Sequence, residues 1–252
     1  MPKNDIPQEI DWNAPHTTIL NAYNTAYKLP CWNLVLIRCT YDSPTQWTLF
    51  LTTTQNRVLQ YLTAQNELHL WDSIKWTILE SPDLDEADIF QSSERFAEWV
   101  KTEGRAELTA LNGPDGDFSR EEDVFNVPWP RYNYFIHVDA ETLAGVHADY
   151  VRGIEIDEER NIFFDSGTRN SLLVVDLGMI LVNREGWEES VEESRRTGEM
   201  IAWEEIDEEN NFRKRVKGEN LLNIYVVLLD SMGFESSFAN HTEDQTLYWL
   251  TV

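Results

Sequence analysis

The chain has only two cysteines among its 252 residues, which excludes the dense disulfide framework of small secreted domains. Cys31 and Cys39 are eight positions apart, flanking or within one apolar segment. A strand rises about 3.3 Å per residue, so two such thiols lie too far apart to bridge within it. Unbridged thiols are typical of a reducing compartment, and we therefore expect a cytoplasmic protein.

Long apolar runs are also missing. No segment approaches the roughly 20 apolar residues that a membrane-spanning helix needs. The N-terminal sequence MPKNDIPQEIDW lacks the apolar core of a signal peptide. We therefore expect no association with a membrane.

The short motifs that mark common enzyme sites are absent as well. The sequence contains no G-x-x-x-x-G-K-[ST], no G-x-G-x-x-G and no G-x-S-x-G. Its five histidines are scattered, without H-E-x-x-H or C-x-x-C, so their spacing predicts no metal site and we expect no cofactor. The remaining possibility for catalysis is acid–base chemistry by side chains outside these motifs.

Basic residues are scarce, since 20 Lys and Arg stand against 45 Asp and Glu, a formal net charge of -25. Residues 1–80 hold five basic and seven acidic side chains, and residues 81–252 hold fifteen and thirty-eight. Such a field repels nucleic acid and attracts cationic ligands, although solubility alone is the simpler explanation. Only Arg195–Arg196 and Arg213–Lys217 are locally basic.

The rest of the composition is that of a folded protein, with 42% hydrophobic residues and ten tryptophans. Residues 1–30 contain four prolines and predict an irregular N-terminal arm. CWNLVLIRCTY then predicts a strand, and SPTQ predicts a helix start with Ser43 as N-cap and Pro44 in the first turn. With the strand SIKWTILE and the helix SSERFAEWVK, the first hundred residues have the order β-α-β-α.

The second part of the chain continues with strands and helices of unequal placement. TALNGPDGDFSREED, residues 109–123, predicts a linker, RYNYFIHVDAETL a strand, and ENLLNIYVVLLDSMG an amphipathic helix. We therefore predict an α+β fold with a mixed sheet and packed helices in a single domain, residues 31–252. Two ferredoxin-like halves, residues 31–108 and 124–252, are the alternative.

Arg38 is the first candidate for a functional role, because it follows the apolar run Leu34–Ile37. On a strand it shares a face with Leu36, so its permanently charged guanidinium lies at the rim of the core. There it meets either a carboxylate or a substrate anion. Charged groups at core edges are normally paired, which favours a structural ion pair.

His137 and Asp139, in FIHVDAE, are the second candidate. Two residues apart on a strand, they share a face, and a nearby carboxylate can hold a histidine in one tautomer suited to general-base catalysis. A packed histidine that is satisfied by backbone groups gives the same sequence pattern. We take the two residues as the candidate catalytic pair.

Asp83 and Glu86 form the only D-x-x-E pair of the chain, in SPDLDEAD. If this turn opens a helix, the two carboxylates share a face and can hold one guanidinium or amine. Carboxylates at a helix start also stabilise the helix dipole, which is an ordinary structural role. We take Asp83, Glu86 and Arg38 as candidate substrate-binding residues, and no residue as a metal ligand.

Four segments resemble a large group of uncharacterised fungal proteins: WNLVLIRCTYDSPTQW, DSIKWTILE, FAEWVKTEG and RYNYFIHVDAETL. That group shares R-x-T-Y after an apolar strand, and a later strand that ends in V-D-E-E-S/A-L. The resemblance covers about residues 30–145, and this chain departs from the second pattern at Ala140 and Thr142. The pattern indicates membership but implies no chemistry for the group at large.

The chain also resembles the arginine-containing cyclodipeptide synthases of fungal secondary metabolism. These enzymes draw arginine and a second amino acid from aminoacyl-tRNA and close them into a diketopiperazine, and a D-x-x-E motif matters for their activity. The resemblance implies that Asp83 and Glu86 bind the arginine guanidinium, that aminoacyl-tRNA is a partner, and that His137 or Asp139 moves protons.

The acidic field opposes a tRNA partner unless the two basic clusters contact it. The alternative function comes from a different class. It is a non-catalytic acidic interaction module that binds a basic partner, in which Arg38 has a structural role only.

Overall fold

The structure is a computed structural model that describes residues 10–11, 14–27, 31–112, 129–151, 171–176, 213–217 and 221–229. It gives the backbone alone for residues 111–112, 149–151, 171–176, 213–217, 222, 223 and 227. Its helices are α1 (His16–Tyr27), α2 (Pro44–Ala64), α3 (Ile89–Trp99), α4 (Arg105–Asn112), α5 (Pro130–Asn133), α6 (Ala140–Val151) and α7 (Leu221–Leu229). Its strands are β1 (Val35–Arg38), β2 (Ile78–Leu79), β3 (Tyr134–Val138), β4 (Ser171–Asp176) and β5 (Arg213–Lys217).

The five described strands form one mixed sheet in the order β2-β1-β3-β4-β5. β1 is parallel to both neighbours, and Ile37 lies opposite Leu79 on one side and His137 on the other. β4 is antiparallel to β3, and β5 is antiparallel to β4. The predicted α+β class is confirmed.

Described strands from both of the alternative halves, residues 31–108 and 124–252, join in a single sheet. β3 pairs in parallel with β1, the first of the described strands. Parallel neighbours require long crossover connections, here through helices, whereas antiparallel neighbours can be joined by tight turns. The helix-containing connections between β1, β2 and β3 therefore produce a continuous sheet.

β1 is buried on both of its faces, as is typical of a parallel strand between layers of helices. Val35, Leu36 and Ile37 are all fully buried. On one face, Arg38 lies over the ring of Trp47 in α2. On the other face of the sheet, Phe135 of β3, which lies opposite Val35 in the register, packs against Phe96 of α3 at 4.9 Å between ring centroids. Helices on both faces of the sheet explain why β1 is apolar without alternation.

The predicted start of α2 is confirmed. Ser43 Oγ accepts a hydrogen bond of 3.2 Å from Gln46 N, and Pro44 occupies the first turn, where its missing N–H costs nothing. Leu51 of this helix is only partly buried. The residues that α2 buries are Trp47, Phe50, Thr54, Val58 and Leu62.

Residues 1–30 were predicted to form an irregular arm. This prediction is wrong for His16–Tyr27, which form helix α1. The buried side chains Ile19, Leu20 and Tyr23 anchor this helix to the core, where it packs against α7. Pro15 directly precedes the helix. The first N–H groups of a helix have no intrahelical partner, so a proline at that place does not prevent the helix.

The linker predicted over residues 109–123 begins inside α4, which extends to Asn112. The rest of that segment and the basic pair Arg195–Arg196 lie outside the described residues. The second basic cluster, Arg213–Lys217, is strand β5. None of the described helices is long and apolar enough to cross a membrane.

Candidate functional site

The carboxyl ends of the parallel strands place all five predicted site residues at one edge of the sheet. Arg38 ends β1, the turn with Asp83 and Glu86 follows β2, and His137 and Asp139 lie at the end of β3. The chain runs from β1 outward to β2 and then returns past β1 to β3, so the β1–β3 boundary is a switch point of the sheet. In open sheets with parallel strands, ligands bind in the crevice at such a point.

Asp83 and Glu86 lie on an exposed turn, and not at the start of a helix. Pro82–Leu84 forms a single 3-10 turn, and α3 begins only after its own N-cap, Asp88. Both carboxylates are exposed, and in the part of the chain that the structure describes neither has a side-chain partner. As far as the described residues extend, both carboxylates are therefore exposed without a side-chain partner.

Hydrogen bonds fasten this turn to the residues that follow β1. Ser81 N donates to Tyr41 Oη at 2.8 Å, and Tyr41 N donates to a carboxylate oxygen of Asp85 at 3.1 Å. Glu86 N donates to Cys39 O, also at 3.1 Å. Glu86 has a φ of 56°, in the left-handed region that non-glycine residues rarely adopt. The turn therefore has a defined position relative to β1.

Arg38 makes the ion pair predicted for it, at 3.3 Å from the carboxylate of Glu80. Its Nε donates to Thr40 O at 3.0 Å. The guanidinium carbon lies 4.2 Å from the ring centroid of Tyr41 and 4.8 Å from that of Trp47. These contacts are all with protein groups, and they hold the Tyr41 ring whose hydroxyl accepts the bond from the turn. Arg38 thus stabilises the position of Tyr41, and through Tyr41 that of the turn.

His137 is buried, with 4% exposure, among groups that the sequence did not single out. Its Nδ1 is 3.0 Å from Ser92 Oγ of α3 and 3.4 Å from Cys39 Sγ. The register explains the second contact, because His137 lies opposite Ile37 and so shares a face with Cys39, two residues further on. The alternation of side chains along β1 predicts which face of the strand Cys39 occupies. It does not predict that β3 is the neighbouring strand.

The Cys39 thiol stays protonated at neutral pH. Burial, together with the nearby carboxylates of Asp139 and Asp88, raises its pKa to about 12. A nucleophilic cysteine needs the opposite surroundings, with positive charge and partial exposure. Cys39 therefore acts as a hydrogen-bonding neighbour of His137.

Asp139 forms the N-cap of α6, since one carboxylate oxygen accepts a hydrogen bond of 2.8 Å from Thr142 N. The turn after β3 is thus a helix start, and Asp139 itself is half-buried. The contacts of His137 Nδ1 described above are with Ser92 and Cys39.

A second charged cluster, which sequence reasoning missed, lies at the opposite edge of the parallel strands. Arg131 is 1% exposed and pairs with Glu107 of α4 at 3.0 Å. It also donates to the carbonyl oxygens of Asn33 and Lys75 and to Thr77 Oγ1. These groups precede β1 and β2, so one guanidinium connects the starts of three strands. Its role is structural.

Among the described residues, no group of three or more His, Cys, Asp or Glu side chains can hold a metal ion. No family model, no curated protein and no solved structure matches the chain. The function is therefore inferred from the residues at the carboxyl ends of β1, β2 and β3, which we call the carboxyl edge.

Proposed function

We propose that the protein forms an arginine-containing cyclic dipeptide from aminoacyl-tRNA, and that Asp83 and Glu86 bind the arginine guanidinium. The observation that carries the proposal is the exposed turn at the carboxyl edge, whose two carboxylates lack side-chain partners among the described residues. A guanidinium presents five N–H donors in one plane, which two carboxylates can share. The resemblance to the arginine-containing cyclodipeptide synthases supports the same assignment.

The reaction requires proton transfer at the same edge. An amino group attacks the ester carbonyl of the aminoacyl-tRNA, a C–N bond forms, the C–O bond breaks, and the ribose hydroxyl leaves. A second attack of this kind closes the ring. Each attacking amine loses a proton, and each leaving oxygen gains one.

His137 is our candidate for the base, because it lies at the end of β3, next to β1, and the residues after β1 hold the turn. Cys39 connects the two, since its carbonyl oxygen accepts from Glu86 N and its sulfur contacts the imidazole. Asp139, half-buried at the same edge, is the second candidate.

The test is expression of the full chain in a bacterium, followed by mass spectrometry of the extract for new arginine-containing diketopiperazines. We expect a new product that disappears in Asp83→Asn and in Glu86→Gln, which keep shape and remove charge. Asp72→Asn is the matched control, because Asp72 is equally exposed but lies in the turn that precedes β2. A product that persists in both turn variants would contradict guanidinium binding by this pair.

A non-catalytic acidic module is the second candidate, and the net charge of -25 favours it. Binding of an arginine-rich and of a lysine-rich peptide of equal length separates the two functions. A specific guanidinium site predicts a preference for arginine that Asp83→Asn removes and Asp72→Asn does not. A diffuse acidic surface predicts equal binding of both peptides, and equal small losses in the two variants.

A further inference from the structure

We propose that Ser92 and Cys39 hold His137 as the neutral tautomer with its hydrogen on Nδ1, so that Nε2 is the basic nitrogen. The tautomer follows from the contacts of three buried side chains. Its catalytic meaning rests on the proposed function, in which His137 accepts a proton from the attacking amine.

Ser92 has a single hydroxyl hydrogen and three neighbours that can share a hydrogen bond with it. Its Oγ lies 2.9 Å from Ile89 O, 3.0 Å from Asp88 O and 3.0 Å from His137 Nδ1. Carbonyl oxygens only accept, and a serine inside a helix commonly donates to the carbonyl three or four residues earlier. With the hydrogen directed there, Oγ accepts a hydrogen bond from Nδ1–H.

Cys39 makes a similar contact with the same nitrogen of His137. Its Sγ lies 3.7 Å from Ile37 O and 3.4 Å from His137 Nδ1. The buried thiol is uncharged and carries one hydrogen, which the Ile37 carbonyl can accept. The sulfur lone pairs then face Nδ1.

Both neighbours of Nδ1 thus have a backbone carbonyl for their own hydrogen, and both are left as acceptors. One Nδ1–H lies within reach of the two acceptors at once. If Nδ1 carried no hydrogen, it would be an acceptor like the three carbonyl oxygens. These four acceptors would then compete for only two hydrogens, those of the Ser92 hydroxyl and the Cys39 thiol. Buried polar groups are hydrogen-bonded wherever possible, so the Nδ1–H tautomer is the consistent assignment.

This assignment makes Ser92 and Cys39 positioning residues, because they act through His137. A general base needs an unprotonated nitrogen, and the partner of the other nitrogen decides which one that is. In this molecule the partners lie on α3 and at the end of β1, next to the switch point of the sheet. The helix that covers the sheet thereby selects Nε2 for the chemistry.

The test is ¹⁵N NMR of the histidine side chains in the full chain at neutral and at slightly alkaline pH. Two-bond ¹H–¹⁵N correlations distinguish the two neutral tautomers from the doubly protonated ring. His137→Gln identifies the signals of His137 among the five histidines. We expect Nδ1–H with an unprotonated Nε2. An Nε2–H tautomer, or a doubly protonated ring at neutral pH, would overturn the proposal.

Ser92→Ala tests the positioning role, and Ser93→Ala is its matched control. Ser93 is also buried on α3, and its hydroxyl donates to the same Ile89 carbonyl at 2.6 Å. We expect a shift of the His137 population toward Nε2–H in Ser92→Ala alone. An unchanged spectrum in Ser92→Ala overturns the role of Ser92. If this variant does not fold, the spectrum of the unsubstituted protein still decides the tautomer.

Measurement of enzymatic turnover distinguishes a failure of this inference from a failure of the proposed function. We expect Ser92→Ala to lower kcat roughly 10-fold, the effect on a rate of losing about one net hydrogen bond. KM for the arginyl substrate should change by about twofold or less, because guanidinium binding is untouched. A protein with the Nδ1–H tautomer that makes no cyclic dipeptide overturns the proposed function alone. A protein that makes the product with the Nε2–H tautomer overturns this inference alone.

Discussion

Two arginines lie at opposite ends of the parallel strands, and the burial of their partners decides how strongly each pair is coupled. Arg131 and its partner Glu107 are 1% and 13% exposed, whereas Glu80, the partner of Arg38, is 45% exposed. Water and counter-ions screen an exposed pair, but they cannot compensate a buried charge whose partner has been removed. Removing one partner should therefore lower the free energy of unfolding more in the Arg131 cluster than in the Arg38 cluster.

Glu107→Gln should lower the free energy of unfolding by about 3 kcal/mol, because it leaves the Arg131 guanidinium buried and uncompensated. Glu98→Gln is the matched control. Glu98 pairs with Arg95 on the surface of α3 and is 65% exposed, so its loss should cost less than about 0.5 kcal/mol. Urea denaturation of both variants measures the difference. Equal losses would contradict the structural role of the buried pair.

The same residue predicts a pH dependence. Burial alone would raise the pKa of Glu107, but hydrogen bonds and charge from Arg131 and Lys75 outweigh it and lower the pKa below its ordinary value of 4.5. A carboxyl whose folded-state pKa is lowered contributes stability above its unfolded value, and this contribution is lost as the pH falls through the folded-state pKa. The stability difference between the unsubstituted protein and Glu107→Gln should therefore shrink below pH 4.5. Urea titrations across this range measure it, and a constant difference would contradict the shift.

At the scale of elements, the parts predicted correctly are those encoded by neighbouring residues. The start of α2 needs only Ser43 and Pro44, and the buried face of α7 follows from the spacing of its apolar residues. α1 was missed because prolines near a helix start look like irregular chain. The helix SSERFAEWVK was predicted to begin at Ser92, three residues later than α3 does, because the capping box of Asp88 with Gln91 was not recognised.

The candidate site was partly predictable for a related reason. Each predicted residue ends a strand or follows one, and the carboxyl ends of parallel strands meet at the same edge. The contact between Cys39 and His137 was not predictable, because it depends on the parallel register of β1 and β3, which are about 100 residues apart. Ser92 and Tyr41 were missed because their roles come from the packing of α3 and of the turn.

The turn that carries Asp83 and Glu86 should loosen when its bond to Tyr41 is removed. Tyr41→Phe deletes the hydroxyl that accepts from Ser81 N, so the Ser81 amide should exchange with deuterium about 2- to 10-fold faster, the equivalent of one net hydrogen bond. Tyr132→Phe is the matched control, because it also loses one hydroxyl bond, to Glu107 at the other edge. Faster exchange at Ser81 in both variants would mean general destabilisation, and would contradict a local role for Tyr41.

At the scale of the whole molecule, charge is distributed unequally. The chain carries a net charge of -25, and thirty-eight of its acidic residues follow residue 80. Like charges on a compact chain repel one another and oppose folding. The exposed ion pairs, such as Arg95 with Glu98, act in the opposite direction, but each is weak. We therefore expect repulsion among the many carboxylates to outweigh these pairs and the buried Arg131–Glu107 pair.

Moderate salt should accordingly stabilise the protein. The Debye length falls from about 10 Å at 0.1 M salt to about 3 Å at 1 M, which screens repulsion between distant carboxylates more than attraction between adjacent charges. We expect the urea midpoint to rise between about 0.02 and 0.5 M sodium chloride, and to rise equally in choline chloride, because screening depends on ionic strength and not on the cation. A midpoint that falls with salt would mean that the ion pairs outweigh the repulsion. A rise with sodium alone would indicate specific cation binding by the carboxylates.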